Sequence, residues 1–360
     1  MLHLQSEGLG SVKTFATLAL LRLPLALQDL IRWCNGMFIF DHLLNTLVYP
    51  VVRLFSVGDS LALLWLAASL VFLLAVIAID RGLRRRQIVL RRVIRFALPM
   101  RIVLHRSSIL DYKLFVVNSV IMFGLLGFFV MTAPQWQALT SYALGAVFGP
   151  PAVATVSSWG VFILTTALQI LALDFGYWLA HYWFHKSPVM WEFHKVHHSA
   201  EVMTPATEWR QHPVELLAIP AVYGLTSGVT YAVVVHIFGA EAQKLGLMGQ
   251  NLILVAHLAT FHHLRHSHVH MPFTGLWGRI FHSPAHHQIH HSANEIHFGK
   301  NLGYLFSIWD WLFGTLHMPR RGEQLVLGIG PEGDSHTTVR QVMLEPFRNA
   351  FRLLKPSSKP

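Results

Sequence analysis

The chain is poor in cysteine, in charge and above all in acid. Its 360 residues hold one cysteine, Cys34, so no intrachain disulfide can form and no four-thiolate zinc or iron–sulfur site can be assembled. Charged residues make up 13% of the chain, roughly half of the ~25% usual in a soluble domain. Apolar residues make up 53% and mean hydropathy is +0.44, which is the composition of a membrane protein. Asp and Glu number 18 against 28 Lys and Arg, a formal charge of +10, yet the placement of that charge argues against a nucleic-acid groove. Nine arginines fall between Arg81 and Arg106, directly after an apolar run, where the positive-inside rule puts the basic residues of a cytoplasmic loop. The HExxH pattern of zinc proteases is absent. No clear cleavable signal opens the chain: Met1 to Gly10 is polar, and the apolar stretch after it is broken by Arg22 and Pro24. Residues 14–33 read as an interfacial amphipathic segment.

Apolar runs are what the chain has instead. Leu61–Ile79 is 19 residues without a charge, which as a helix covers about 28 Å, close to the ~30 Å hydrocarbon core. A second run is Leu114–Thr132. Residues 133–158, with Gly149-Pro150-Pro151, read as a loop with a short re-entrant helix. A third run starts near Trp159 and continues through Leu173 toward His181. Leu216–Phe238 and Leu245–Thr260 read as a helical hairpin. The expected fold is all-α: a polytopic bundle of four to five spanning helices with a helical, histidine-rich cap. With the arginine block in the cytoplasm, counting crossings delivers both His181–His212 and His262–His297 to the cytoplasmic side.

Histidine is the outlier. The chain has 24, of which 19 lie between His181 and His297. Four groups have ligand-type spacing: His181/His185; His194/His197/His198; His262 to His270, with His263, His266 and His268 between; and His286/His287/His290/His291. Residues at i, i+3 and i+4 share one helix face about 5–6 Å apart, a spacing suited to metal ligation by neutral imidazole. Two HxxHH copies on one membrane face are hard to assign to chance, and crowding so many imidazoles without a metal is unfavourable, because each protonation opposes the next. His3, His42, His105, His236, His317 and His336 read as lone interfacial residues, and His257 as an ionisable residue inside an apolar span. A structural zinc site needs four ligands and a catalytic one typically three, so about ten imidazoles fit two redox metals better.

On these residues the chain resembles the sterol desaturase/fatty-acid hydroxylase family of membrane di-iron oxygenases. The resemblance runs from about Asp174 to Thr315, through Asp174-Phe-Gly-Tyr-Trp-Leu-Ala-His181, Trp191-Glu-Phe-His-Lys-Val-His-His-Ser199, Arg210-Gln-His212-Pro-Val-Glu215, His266-Ser-His268, Ser283-Pro-Ala-His-His-Gln-Ile-His-His-Ser292, Lys300-Asn301-Leu-Gly303 and Trp309-Asp310-Trp-Leu-Phe-Gly-Thr315. It departs where His268 replaces a frequent Asn, Leu302 a frequent Tyr and Trp311 a frequent Arg. The resemblance implies that His181, His185, His194, His197, His198, His262, His266, His287, His290 and His291 ligate two iron ions, with zinc as a possible substitute. It further implies that Asp174, His212, Glu215, Asn301 and Asp310 orient those ligands. His262, His268 and His270 compete for one or two of these ligand roles, and His286 is a further candidate for ligating a metal or orienting a ligand. The implied reaction is O2-dependent hydroxylation or desaturation of a lipid, drawing electrons from a separate reductase, ferredoxin or cytochrome b5-like partner, since the chain carries no haem module, flavin fingerprint or Cys-ligated cluster. Membrane lipid, rather than nucleic acid, is the expected surface partner, at Arg84–Arg86. The expected organisation is an N-terminal region at 1–58, transmembrane helices at 59–173 with the 81–106 loop, a catalytic domain at 174–317 containing the 216–260 hairpin, and a soluble tail at 318–360. Two other classes compete with this reading. One is a histidine-rich metal transporter or sensor; the other is a zinc-dependent lipid hydrolase on the same scaffold.

Overall fold

A computed structural model of the chain describes residues 37–84, 87, 89–126, 130–152, 159–239, 245–320, 323–330 and 336–355. The segment 14–33, expected at the interface, lies outside the described residues. The chain divides into two units, Met1–Tyr49 and Pro50–Pro360. The described part of the first is the opening of helix α1 (Met37–Phe55), which has Pro50 inside it; the second holds everything below.

In chain order the second unit forms α2 (Leu63–Leu83), α3 (Leu90–Ala97), α4 (Met100–Val103), α5 (Arg106–Ile121), α6 (Ala133–Phe148), α7 (Trp159–Lys186), α8 (Pro188–His198), α9 (Pro213–Phe238), a two-stranded β1 (Gly246–Leu247) and β2 (Gln250–Asn251), and α10 (Leu252–Thr260). There follow α11 (His262–Arg265), α12 (Gly275–Ile280), α13 (Pro284–His290), α14 (Ile308–Leu312) and α15 (Val339–Leu354). The protein is mostly helical, as expected. Among the described residues four helices are long and apolar enough to cross a membrane: α2, α5 extended to Gly124, α7 and α9. α7 has 28 residues, about 42 Å of helix and roughly 12 Å more than the hydrocarbon core, so it has the length to carry its last turns beyond the bilayer.

The structure differs from the hydropathy reading in three places. The second span begins at Arg106 rather than Leu114, because its charge at Asp111 is buried and matched. Arg210 Nη1 donates to Asp111 Oδ1 (3.0 Å) and the Thr207 hydroxyl to Oδ2 (2.7 Å). Residues 133–148 form a 16-residue helix, opened by Thr132 and Gln135 in a reciprocal cap. The second arm of the expected 216–260 hairpin is not a span: α10 has nine residues, about 14 Å. It starts from partway along α7, where the Leu245 N–H donates to Thr166 Oγ1 (2.7 Å) and Asn251 Nδ2 to the Thr166 carbonyl (3.0 Å). A half-length arm is then enough to bring His262 to the histidine end of α7.

Small residues let the spans approach closely, as expected where apolar lipid removes the hydrophobic drive between helices. A Cβ on Gly176 of α7 would sit 2.6 Å from the Tyr223 Cα of α9, and one on Gly228 would sit 2.5 Å from the Ala133 carbonyl oxygen of α6. α10 packs on α2 through Ala62, Trp65, Val255 and Leu258, and Ser69 donates to the Leu258 carbonyl (3.0 Å). At the other end of the chain, α15 lies against α8, with Phe193 and Phe347 edge to face.

Candidate metal centre

Two of the histidine boxes sit on helices whose starts are fixed by local chemistry. α8 opens with Ser187 as cap and Pro188 in its first turn, a pair that presets helical φ while satisfying an orphan N–H. α13 opens the same way: Ser283 Oγ accepts from the His286 N–H (3.2 Å) and His286 Nδ1 accepts from the Ser283 N–H (3.3 Å). His286 is thereby a capping residue. The two HxxHH copies project from one face each of α8 and α13, and the last turns of α7 add His181 and His185.

Together they form two buried groups. His181, His185, His194, His198 and His290 make one, and His197, His266, His287 and His291 the other; the ligand atoms of each group lie within 4.8 Å of one another. The groups adjoin, with the His198 and His291 rings 4.7 Å apart and those of His290 and His291 5.4 Å apart.

Hydrogen bonds on the far sides of the rings decide what the near sides offer. His181 Nδ1 lies 2.8 Å from the Leu302 carbonyl oxygen, His290 Nδ1 2.8 Å from that of Lys300, His194 Nδ1 2.9 Å from Glu215 Oε1 and His266 Nδ1 3.1 Å from Glu208 Oε2. Carbonyl and carboxylate oxygens only accept, so in all four rings Nδ1 carries the hydrogen and Nε2 presents a bare lone pair. These lone pairs converge. His181 Nε2 is 3.0 Å from His194 Nε2, which is 3.2 Å from His198 Nε2. His266 Nε2 is 2.8 Å from His287 Nε2, which is 3.1 Å from His291 Nε2. The Nε2 atoms of His185 and His290 are buried without a partner. His181 and His194 thus face each other with two bare lone pairs, which repel unless a cation lies between them, and the convergence of ring nitrogens in both groups fits a metal ion in each. Burial, followed by the mutual repulsion of neighbouring imidazoles, holds His194, His198, His287 and His291 well below the usual imidazole range, and burial brings His290 down to about 4. The rings stay neutral, the form that binds metal.

The backbone carbonyls that orient His181 and His290 belong to a loop held by buried acids. Asp174 accepts from the Leu305 N–H (2.6 Å) and Trp309 Nε1 (2.9 Å). Asp310 accepts from the N–H groups of Leu302 and Gly303 (both 2.9 Å), from Trp178 Nε1 and from the Thr315 hydroxyl. Asn301, at φ +56°, donates to the carbonyls of His286 and His317. These three residues act on the ring-orienting loop, whereas Glu215 touches a ring directly.

Other expected site residues stand apart. His262 joins neither group. The helix carrying it breaks at His266 (φ −96°, ψ 65°), so the i, i+4 relation to His266 is lost, and the Tyr304 hydroxyl meets His262 Nδ1 at 3.1 Å. His268 is exposed and donates from Nε2 to the Phe96 carbonyl (2.6 Å), and His270 is exposed. His212 caps α9 and reaches Met343 of α15. The spacing arguments missed Glu208, which lies on a 3-10 turn (Pro205–Trp209) and binds both His266 and the fully buried Arg265 (3.0 Å). No local pattern marks it, since its partners lie 57 and 58 residues further along the chain.

Residues 166–315 match the fatty acid hydroxylase family model, and both histidine groups fall inside that segment. Among similar proteins, alkylglycerol monooxygenase of Caenorhabditis elegans is 26% identical over 159 residues, 43% of this chain and 28% of that protein. Ornithine lipid hydroxylase OlsE of Rhizobium tropici is 29% identical over 203 residues, 52% of this chain and 55% of its own length. A delta(7)-sterol 5(6)-desaturase of Gibberella zeae is 26% identical over 166 residues, 43% of this chain and 38% of that enzyme. The matches thus cover between about a quarter and about half of each relative. No solved structure matches. Over residues 166–315 the chain is thus similar to fatty acid hydroxylases, and the relatives it matches there are lipid-modifying hydroxylases, monooxygenases and desaturases.

Proposed function

We propose that the protein is an integral-membrane di-iron oxygenase that hydroxylates or desaturates a lipid with O2 and external electrons. The observation that carries this reading is the convergence of neutral imidazole nitrogens in two adjoining groups beside the end of the spanning helix α7. One iron would be held by His181, His185, His194, His198 and His290, the other by His197, His266, His287 and His291. His262 supports the centre from behind, through Tyr304.

When bound, such an iron pair supplies activation of O2 for attack on an unactivated C–H bond. The chain's own groups do the rest. Glu208, Glu215 and the carbonyls of Leu302 and Lys300 lock His266, His194, His181 and His290 in the tautomer that aims Nε2 inward, so none of these four rings has to turn over as electrons arrive. Burial keeps the imidazoles neutral and bulk water out. A cavity of about 560 Å³ lined by His185, Lys186, Trp191, His198, His290 and Phe298 opens onto the first group, an approach of mixed polarity and of the size that admits part of a lipid. The relatives are named for an alkylglycerol, an ornithine lipid and a sterol, which supports a lipid substrate without choosing one.

We place the catalytic domain at 174–317 and the histidine side in the cytoplasm, next to the arginine block at 81–106. Electrons then come from a soluble or membrane-bound donor on that side, of the reductase, ferredoxin or cytochrome b5 type. The test is lipid profiling of cells with and without the protein, alongside a His290→Ala control. The expected result is one lipid class gaining a hydroxyl or a double bond only with the wild-type chain. Identical lipids in wild type and His290→Ala would sink the enzymatic reading.

A further inference from the structure

A third cluster lies outside both groups. His297 ends a 3-10 turn (Glu295–His297) capped by Asn294, His317 follows the loop after α14, and Glu323 comes from the segment beyond it. His297 Nε2 and His317 Nε2 lie 3.0 and 3.1 Å from the same oxygen, Glu323 Oε1, with the two rings 4.8 Å apart. We propose that these three residues form a separate mononuclear site for a zinc-type divalent ion, completed by water.

The geometry is close to what such an ion needs. With bonds of about 2.0–2.2 Å in a tetrahedral arrangement, neighbouring ligand atoms stand about 3.3 Å apart, so the observed contacts have to open by only a few tenths of an ångström. The cluster is held in place from behind. Glu323 Oε2 accepts from the Arg320 N–H (3.1 Å), which leaves Oε1 for the two imidazoles. The His317 N–H donates to Asn301 Oδ1 (2.7 Å) and its carbonyl accepts from Asn301 Nδ2 (2.9 Å). The His297 carbonyl accepts from the Lys300 N–H (3.1 Å). Exposure is graded: His297 is fully buried, while the side chains of His317 and Glu323 keep 14% and 10% of their surface. An ion therefore has a way in and a fourth position open to water.

Two imidazoles, one carboxylate and a water are a zinc composition; calcium and magnesium prefer shells of oxygen. The expected role is bracing. The ion ties the Glu323 segment to the 297–301 loop, whose Lys300 carbonyl orients His290, without touching the main centre.

The competing arrangement uses the same atoms: both Nε2–H groups donate to Glu323 Oε1 as a hydrogen-bonded latch, with no ion. Metal counting separates the two. The full chain, purified in detergent with its iron in place, is loaded with zinc, desalted and analysed for zinc and iron together. Wild type is expected to keep one zinc per chain that Glu323→Gln and His317→Gln each lose, with iron unchanged in both. Cobalt loaded in place of zinc should give a tetrahedral visible spectrum in wild type that disappears in the variants. A wild-type chain that retains no zinc overturns the proposal without any variant, as does a zinc ion that persists in both variants. Iron reports on the main groups and zinc on this one, so a failure of either reading is seen separately.

Discussion

Replacing Glu208 by Gln removes a charge that two partners share. Glu208 Oε2 accepts from Arg265 Nη2 (3.0 Å) and from His266 Nδ1 (3.1 Å). Burial alone would raise its carboxyl, but the Arg265 guanidinium and the hydrogen bond from His266 outweigh that and hold it well below the usual range. Gln keeps one oxygen acceptor, so it can still meet His266 or Arg265 but not balance the guanidinium, and its amide then faces the other donor. Arg265 is fully buried, and breaking a buried pair costs about 3–5 kcal/mol. Because Gln retains a dipole, and Arg265 also lies over the Tyr304 ring at 4.5 Å, the lower end, about 3 kcal/mol, is expected. Loss of the group orienting a ligand ring weakens metal binding about 10–100-fold, or roughly 1.4–2.8 kcal/mol. Glu215→Gln is the matched control. Glu215 meets His194 Nδ1 at 2.9 Å and has no Lys or Arg paired to it among the described residues, so it should weaken metal binding by a similar factor at a much smaller stability loss. The assays are thermal unfolding in detergent and chelator competition for iron. If Glu208→Gln binds iron as tightly as wild type, Glu208 does not orient His266 and the tautomer argument fails for the second group.

Other consequences follow from the same contacts. His262→Ala should leave iron content unchanged while His266→Ala lowers it, as counted after anaerobic purification; equal losses would return His262 to the ligand set. Gly228→Ala should destabilise the α6–α9 contact by about 1–3 kcal/mol, because the new Cβ would meet the Ala133 carbonyl at 2.5 Å and Trp136 Cβ at 2.7 Å; an unchanged or raised melting temperature would contradict that packing. His212 accepts from the Val214 N–H through Nδ1 and donates from Nε2 to the Met343 carbonyl, and burial pushes it down to about 4. The unfolded chain therefore takes up this proton first, near pH 6.5. Its contribution to stability is complete above that pH and is lost as pH falls toward 4, by up to about 3 kcal/mol. His212→Asn, which can still cap α9, should flatten that slope in melting curves taken between pH 7 and 4.5, and an identical slope in both proteins would refute the assignment.

Much of the centre is legible in the sequence for a physical reason: ligands at i, i+3 and i+4 on one short helix reveal themselves by spacing. His194/His197/His198 and His287/His290/His291 are of this kind, and their caps, Ser187-Pro188 and Ser283-Pro284, are local too. What spacing cannot carry is a partner brought in by tertiary folding. Glu208 comes from another turn of the chain, and the Glu323 cluster joins residues whose individual surroundings look ordinary in sequence. His262 shows the converse limit, since i, i+4 spacing places two rings together only while the helix is unbroken. The apolar window at 245–260 reads as a span because hydropathy does not register the β-turn that shortens it. Asp111 ends a hydropathy window although Arg210, 99 residues later, neutralises it.

The central claim is tested most directly by the metal content of the full chain after anaerobic purification, read with O2 uptake on adding reductant. The account predicts two irons per chain, held by the two histidine groups, and O2 consumption that His290→Ala abolishes. Stoichiometric zinc in those groups with no O2 uptake would contradict it.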